Sequence, residues 1–164
     1  SKKKVIAAVF LDLKRAFETV PRDILIQKLR NYGIVGNVID WFKSWLFERV
    51  QYTKYNETLS NTVAVNLGIP QGTPLSCLMF NLYFNDVTKV VDKCSVNLFA
   101  DDALIWIAAD NVDEAVQSIN TDLQNILNYL IMSKLKLNVS KTKAMLIGCI
   151  NRDNVNIVLH SSQF

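Results

Sequence analysis

Glycine and proline are scarce in this chain, 5 and 3 residues of 164, and four of these eight fall between Gly68 and Pro74. No linker, low-complexity tract or internal repeat is visible, so one domain is expected. Cys77, Cys94 and Cys149 are few, far apart and without a C-x-x-C pair. That argues against a disulfide framework or a zinc site. Each stands among apolar residues, so buried free thiols in a reducing compartment are expected. The single histidine, His160, supports no site. No apolar stretch approaches the ~20 residues of a membrane span, so no membrane partner is expected. Lys2–Lys4 before Val5–Leu11 imitates a signal peptide. The apolar run is short, ends in Asp12 and lacks a small-residue cleavage site, which excludes that reading. The chain does not begin with Met, as an excised segment of a longer protein would not.

Half of the residues are hydrophobic and a fifth are charged, as in ordinary globular proteins. A chain of this length buries roughly two-thirds of its surface and folds without staples. The net charge of +3 is mild and barely favours a nucleic-acid partner.

Val5–Leu13 is apolar and β-rich and predicts a buried strand. Pro21 opens a helix at its first position, continued by Ile24, Leu25, Lys28 and Leu29 and stopped by Gly33. Val38–Phe47 predicts a second helix with Trp41, Phe42 and Trp45 on one side, packed or serving as a stacking platform. Val50–Tyr55 and Thr62–Val65 read as a hairpin, and Pro74–Val91 as a third helix. Val96–Phe99 and Leu104–Ile107 are short strands separated only by Ala100–Ala103. Asn111 and Glu114 form a capping pair for a helix whose Val112, Val116, Ile119, Leu123, Ile126 and Leu130 recur at helical spacing. Lys143–Gly148 is a strand, and Val155–Leu159 a further candidate.

With residues 21–66 set aside as an inserted helical and hairpin segment, the order is strand, helix, strand, strand, helix, strand. That is the split βαβ order of ferredoxin-like α+β folds. The first strand and the central hairpin are neighbours there, which would bring Asp12 beside the turn at Asp101.

Asp12 ends an apolar strand, and Asp101 and Asp102 sit at the turn of an apolar hairpin. Ionised carboxylates in such surroundings need a partner, and adjacent ones repel. No Lys or Arg lies within Val96–Ile107. Divalent cations would answer this, since Mg2+ takes a few carboxylates plus water and substrate phosphates, and paired ions clamp a phosphoryl transfer. The competing reading is ordinary turn chemistry for the Asp pair and a strand end for Asp12. The Gly68-Ile-Pro-Gln-Gly-Thr-Pro74 segment reads as a structured loop entering a helix. Gly72 there would admit close approach, Gln71 offers donor and acceptor, and the helix start favours anions.

Four segments in order resemble the palm of a reverse transcriptase, closest to the non-LTR (LINE-type) retrotransposon class, over roughly residues 5–149. Phe10-Leu-Asp-Leu-Lys-Arg-Ala-Phe17 resembles the first metal-binding motif. Gly68-Ile-Pro-Gln-Gly-Thr-Pro-Leu-Ser76, running on through Asp86, resembles the template and nucleotide motif. Phe99-Ala-Asp-Asp102 resembles the catalytic hairpin in its FADD form, and Lys134–Thr142 the lysine-bearing motif that follows.

The resemblance implies an RNA-directed DNA polymerase using two Mg2+ ions, with Mn2+ able to substitute. Its partners would be an RNA template, a DNA primer, dNTP and the rest of a parent polyprotein, in the nucleus or cytoplasm. Asp12, Asp101 and the Leu13 carbonyl would ligate the metals, with Asp102 supporting them. Phe17 would exclude a 2′-hydroxyl, and Gln71 and Gly72 would contact nucleotide and template. Lys14 and Arg15 are candidates for triphosphate contact. Lys141, with Lys143 as rival, is a candidate for protonating pyrophosphate. The whole chain, 1–164, would be palm core, with part of the fingers in 21–66 and the thumb absent. Glu18, Cys77, Tyr129 and Ser133 depart from the usual Asp, Pro, Trp and Asn, which bears on template positioning rather than on metal ligands. Two rivals stay open: an RNA-synthesising polymerase, against which Phe17 argues, and an inactive or domesticated RNA-binding palm.

Overall fold

A computed structural model of the chain describes residues 4–148 and 156–158. They form two compact units: residues 4–16 with 84–148 and 156–158, and residues 17–83.

The first unit is built on β1 (Val5–Leu11). Its Val5, Ala7, Val9 and Leu11 are buried, whereas Phe10 is 46% exposed. The two-residue period puts the first set on one face of the sheet. β1 pairs antiparallel with β7 (Asp102–Ala109) from Val5↔Ala109 to Leu11↔Ala103. On its other side it pairs antiparallel with β8 (Lys143–Ile147), from Ile6↔Ile147 to Phe10↔Lys143. β6 (Ser95–Phe99) joins β7 as a hairpin, giving the strand order β6-β7-β1-β8. The first strand and the central hairpin are therefore neighbours in one antiparallel sheet, as the element order predicts.

Helix α5 (Val112–Met132) lies against β1 and β7 and buries Ala115, Ile119, Leu123, Ile126 and Leu130 at helical spacing. Burying each large aliphatic side chain contributes about 1.5–3 kcal/mol. The helix starts where Asn111 Oδ1 accepts the Glu114 N–H at 2.9 Å, the cap expected from sequence. Midway along it, the buried Asp122 accepts the N–H groups of Asp92 at 3.0 Å, Lys93 at 2.9 Å and Cys94 at 2.7 Å. This one carboxylate holds the loop that delivers the chain into β6.

The second unit contains α2 (Arg22–Asn31) and α3 (Gly36–Leu46), packed together. Leu25, Ile26 and Leu29 are buried on α2, and Ile39, Phe42 and Leu46 on α3. Two ribbons follow: β2 (Arg49–Gln51) with β5 (Val63–Val65), and between them β3 (Lys54–Tyr55) with β4 (Thr58–Leu59). Helix α4 (Pro74–Phe84) completes the unit with Met79, Phe80 and Tyr83 buried.

Several expectations change. A single helical turn, α1 (Ala16–Thr19), follows β1. Pro21 caps α2 from outside rather than opening it from within. The long third helix stops at Phe84 and tightens into a 3-10 segment, Asn85–Lys89. Phe42 packs inside, while Trp41 is 53% exposed and stacks on Trp45 at 6.2 Å between ring centres. Cys77 is exposed, not buried, because it lies on the outward side of α4; Cys94 is half-buried. Burial, then the Asp122 carboxylate, pushes the Cys94 thiol up to about 12. Cys149, His160 and both ends of the Val155–Leu159 candidate strand lie outside the described residues; 156–158 form no strand. Among the described residues no helix is long and apolar enough to cross a membrane.

Candidate active site

Sequence reading leaves four residues between the hairpin strands, but the structure leaves two. β7 begins at Asp102, which pairs with Phe99, so Ala100 and Asp101 alone make the turn. Such a turn asks for positive φ at its first position, where glycine is at ease. Ala100 holds φ +53° there. Asp102 thus belongs to a strand and Asp101 to a turn, and their side chains have different surroundings.

The β1–β7 register ends at Leu11↔Ala103. One step further, Asp12 stands opposite Asp102. By the strand period both share the face of Phe10 and Leu104, away from buried Leu11 and Ala103. Asp12, Asp102, Phe10, Asn97, Phe99 and Lys141 line a cavity of about 410 Å³ on that face, within the ~300–1,000 Å³ of ligand pockets.

Asp12 is fixed through its main chain. Asn138 N–H donates to the Asp12 carbonyl at 2.7 Å, and Lys14 N–H to the Lys136 carbonyl at 2.8 Å. These flank an antiparallel bridge between Leu13 and Leu137, which leaves the Leu13 carbonyl out of that exchange. Asp12 N–H also reaches Thr142 Oγ1 at 3.4 Å. The N–H groups of Lys141 and Thr142 close back on the Asn138 carbonyl at 3.1 and 2.9 Å. That turn brings Lys141 to the cavity. Asn138 and Thr142, which carry no individual role in the motif reading, thereby couple the lysine-bearing segment to Asp12.

Asp101 stands in the turn and is not among the residues lining the cavity. Among the described residues no three His, Cys, Asp or Glu side chains form a ready cation cluster. Asp12 and Asp102 share the cavity wall, and Lys141 reaches the same cavity from a distant segment. Two water-accessible carboxylates on one cavity still suit Mg2+, which commonly takes one or two protein carboxylates and fills its shell with water and phosphate oxygens. Lys14 and Arg15 are exposed and line no part of the cavity, and Lys143 lies on β8 opposite Phe10.

The second unit carries the other predicted residues. Phe17 is half-buried and stacks on Phe80 with ring centres 4.7 Å apart and planes 28° apart. Its carbonyl accepts Ile69 N–H at 2.8 Å, and the Val20 carbonyl accepts Gly68 N–H at 2.9 Å. Gly68 has φ +82°, and a Cβ there would fall 2.7 Å from the Glu18 carbonyl oxygen. No other residue fits. Gln71 and Gly72 are exposed. Gly72 has φ +92° with open space around it, so conformation rather than crowding calls for glycine. The Ser76 hydroxyl donates to the Pro70 carbonyl, and Thr73 Oγ1 lies 2.8 Å from Ser76 Oγ, tying the loop to the first turn of α4.

Arg22, which sequence reading passed over, is 3% exposed. Its Nε donates to the Gly68 carbonyl at 2.8 Å, Nη1 to Val65 at 2.5 Å and Nη2 to Leu67 at 2.9 Å. Burial, then the nearby Arg49 charge, lowers its pKa. The only sequence signal was an arginine in the first turn of an amphipathic helix, where a surface role is the ordinary reading.

The family model for reverse transcriptase (RNA-dependent DNA polymerase) matches residues 1–163. The Pol polyprotein of the type-1 retrotransposable element R2 from Popillia japonica is 28% identical over 63% of the chain and 19% of its own length. The probable RNA-directed DNA polymerase from transposon BS of Drosophila melanogaster is 26% identical over 85% of the chain and 16% of its own. The transposon TX1 149 kDa protein of Xenopus laevis is 27% identical over 90% and 12%. The chain therefore spans less than a fifth of each of these relatives. Among solved structures, telomerase from Candida tropicalis with a fragment of telomeric RNA matches 87% of the chain and 26% of its own, with a TM-score of 0.66 and 13% identity. Telomerase from Candida albicans matches 92% and 27%, with a TM-score of 0.65 and 13% identity. At that identity the likeness is one of fold. The chain belongs to the reverse transcriptase (RNA-dependent DNA polymerase) family, and its curated relatives are proteins of non-LTR, LINE-type transposable elements.

Proposed function

We propose that this chain is the palm of an RNA-directed DNA polymerase, part of a longer retrotransposon polyprotein. Adjacency of Asp12 and Asp102 on one cavity, with Lys141 on its wall, carries the reading. The strand order β6-β7-β1-β8 supports a ferredoxin-like, split βαβ palm.

In the proposed reaction the primer 3′-oxygen forms a bond to the α-phosphorus of a dNTP, and the bond from that phosphorus to the pyrophosphate oxygen breaks. Asp12 and Asp102 would hold two Mg2+ ions, with Asp101 and the Leu13 carbonyl as the further donors the family resemblance implies. Bound there, the ions would supply charge neutralisation for the hydroxyl and the phosphates. The Lys141 ammonium faces the same cavity and is the proposed proton donor to departing pyrophosphate. Phe17, backed by Phe80, is the proposed wall against a ribose 2′-hydroxyl. Gln71 and Gly72, on a loop braced to α4, are the proposed contacts to nucleotide and template. The RNA template sets sequence by base pairing, so the protein's contribution is positioning and electrostatics.

The test is dNTP incorporation with Mg2+ on a primed RNA template by the full-length protein carrying this chain, with Asp101→Asn and Asp102→Asn beside wild type. Template-dependent extension by wild type and its collapse in the variants are expected. A wild type that binds RNA tightly but extends nothing would instead favour the inactive RNA-binding palm.

A further inference from the structure

Arg22 is a buried charge with all three guanidinium nitrogens spent on main-chain carbonyls, those of Val65, Leu67 and Gly68. Burying a charge is costly, and an apolar residue of similar size would fill the same space at less cost. What the planar fork adds is geometry, because three bonds from one rigid group fix three carbonyls within the four residues Val65 to Gly68.

That loop is one side of a lacing. Gly68 N–H to the Val20 carbonyl and Ile69 N–H to the Phe17 carbonyl tie it to residues 17–20. The closeness of Gly68 to the Glu18 main chain leaves no room for slack. Phe17 is on one strand of this lacing, and Gln71 and Gly72 follow directly from the other. The guanidinium, anchored at the start of α2, holds the loop strand from behind.

We propose that Arg22 is a positioning residue for sugar selection: it sets the separation between the Phe17 wall and the Gln71–Gly72 loop. This rests on the assignment of Phe17 made above. A steric wall rejects a single oxygen only if it is held to a fraction of an ångström. Loosening its frame should therefore relax discrimination before it abolishes synthesis.

The experiment compares wild type, Arg22→Met, Arg22→Lys, Phe17→Ala and Leu29→Ala in the full-length protein. It measures kcat and KM for dNTP and for the matching rNTP on a primed RNA template, together with Tm. Arg22→Met should lower the dNTP-to-rNTP ratio of kcat/KM by about tenfold or more, mainly through KM, since small misplacements of positioning groups cost up to ~100-fold. Arg22→Lys keeps the charge without the fork and should lie between. Leu29→Ala, which empties a fully buried site on the same helix, should lower Tm and leave the ratio at its wild-type value. If Arg22→Met does not fold, Arg22→Lys decides. A wild-type ratio in Arg22→Lys, or a Leu29→Ala shift as large as that of the Arg22 variants, overturns the inference. If Phe17→Ala keeps the wild-type ratio, the gate assignment falls, and this inference with it. A response from Phe17→Ala but none from Arg22 overturns this inference alone.

Discussion

Asp12 and Asp102 stand opposite each other one step past Leu11↔Ala103, the last paired residues of β1 and β7, on the face turned away from α5. Carboxylates on the wall of an open cavity contribute little to the packed core and are placed for a bound cation. Asp12→Asn and Asp102→Asn should therefore each reduce dNTP incorporation by about 10³-fold, as loss of groups stabilising a charged transition state does. Neither should lower Tm appreciably. Steady-state incorporation and a thermal melt of the same preparations check both halves.

Lys141 and Lys143 are two residues apart but differ in placement: only the first lines the cavity, while the second pairs with Phe10 at the edge strand. Lys141→Ala should lower kcat by about 100-fold, the lower end of what a positioned general acid contributes. Lys143→Ala should leave kcat within about threefold of wild type, as expected of a surface charge screened by salt. Equal losses in the two variants would remove the assignment.

Ala100 occupies the left-handed region at the first position of the two-residue turn. A side chain there costs about 1–2 kcal/mol that glycine avoids. Part of that gain is offset by the extra freedom glycine brings to the unfolded chain. Ala100→Gly should raise stability by about 0.5 kcal/mol, and Ala100→Val should lower it by about 1–2 kcal/mol, as a β-branched residue at positive φ does. Urea unfolding of the two variants measures the difference.

Asp122 carries the acid sensitivity of the hairpin's approach. Burial pushes its carboxyl up, but the N–H groups of Asp92, Cys94 and Lys93 and the Cys94 thiol outweigh this and hold it below the usual carboxylate range. A depressed folded pKa gives stability that is present above the unfolded value and lost as pH falls through the folded one. Stability should thus hold above the ordinary carboxylate range and decline below it. Asp122→Asn should flatten that decline and cost about 2–4 kcal/mol near neutral pH, because donors lose a charged acceptor. Unfolding free energy measured at stepped pH, with and without the substitution, reads both effects.

Much of this was legible along the chain because the determining forces are local. Alternation of apolar residues marks β1, the 3.6 period marks α5, and Asn111 with Glu114 marks its start. The four motif segments were readable for the same reason: each is contiguous, so its residues are neighbours before folding. Element order alone even set the first strand beside the hairpin, since the split βαβ order makes those two neighbours despite their distance along the chain.

What sequence left open depended on contacts between distant segments. A register is a relation between two strands, so only the fold brought Asp12 and Asp102 to the wall of one cavity. A charge arriving from 40 residues away does not show in a hairpin's own composition, which is why Lys141 escaped the count of nearby cations. Arg22 and Asp122 look like surface residues of amphipathic helices until the loops that need their hydrogen bonds come to rest on them. Hydrophobic period specifies which face of an element turns inward; the partners of a buried polar group are chosen only when the chain has closed around it.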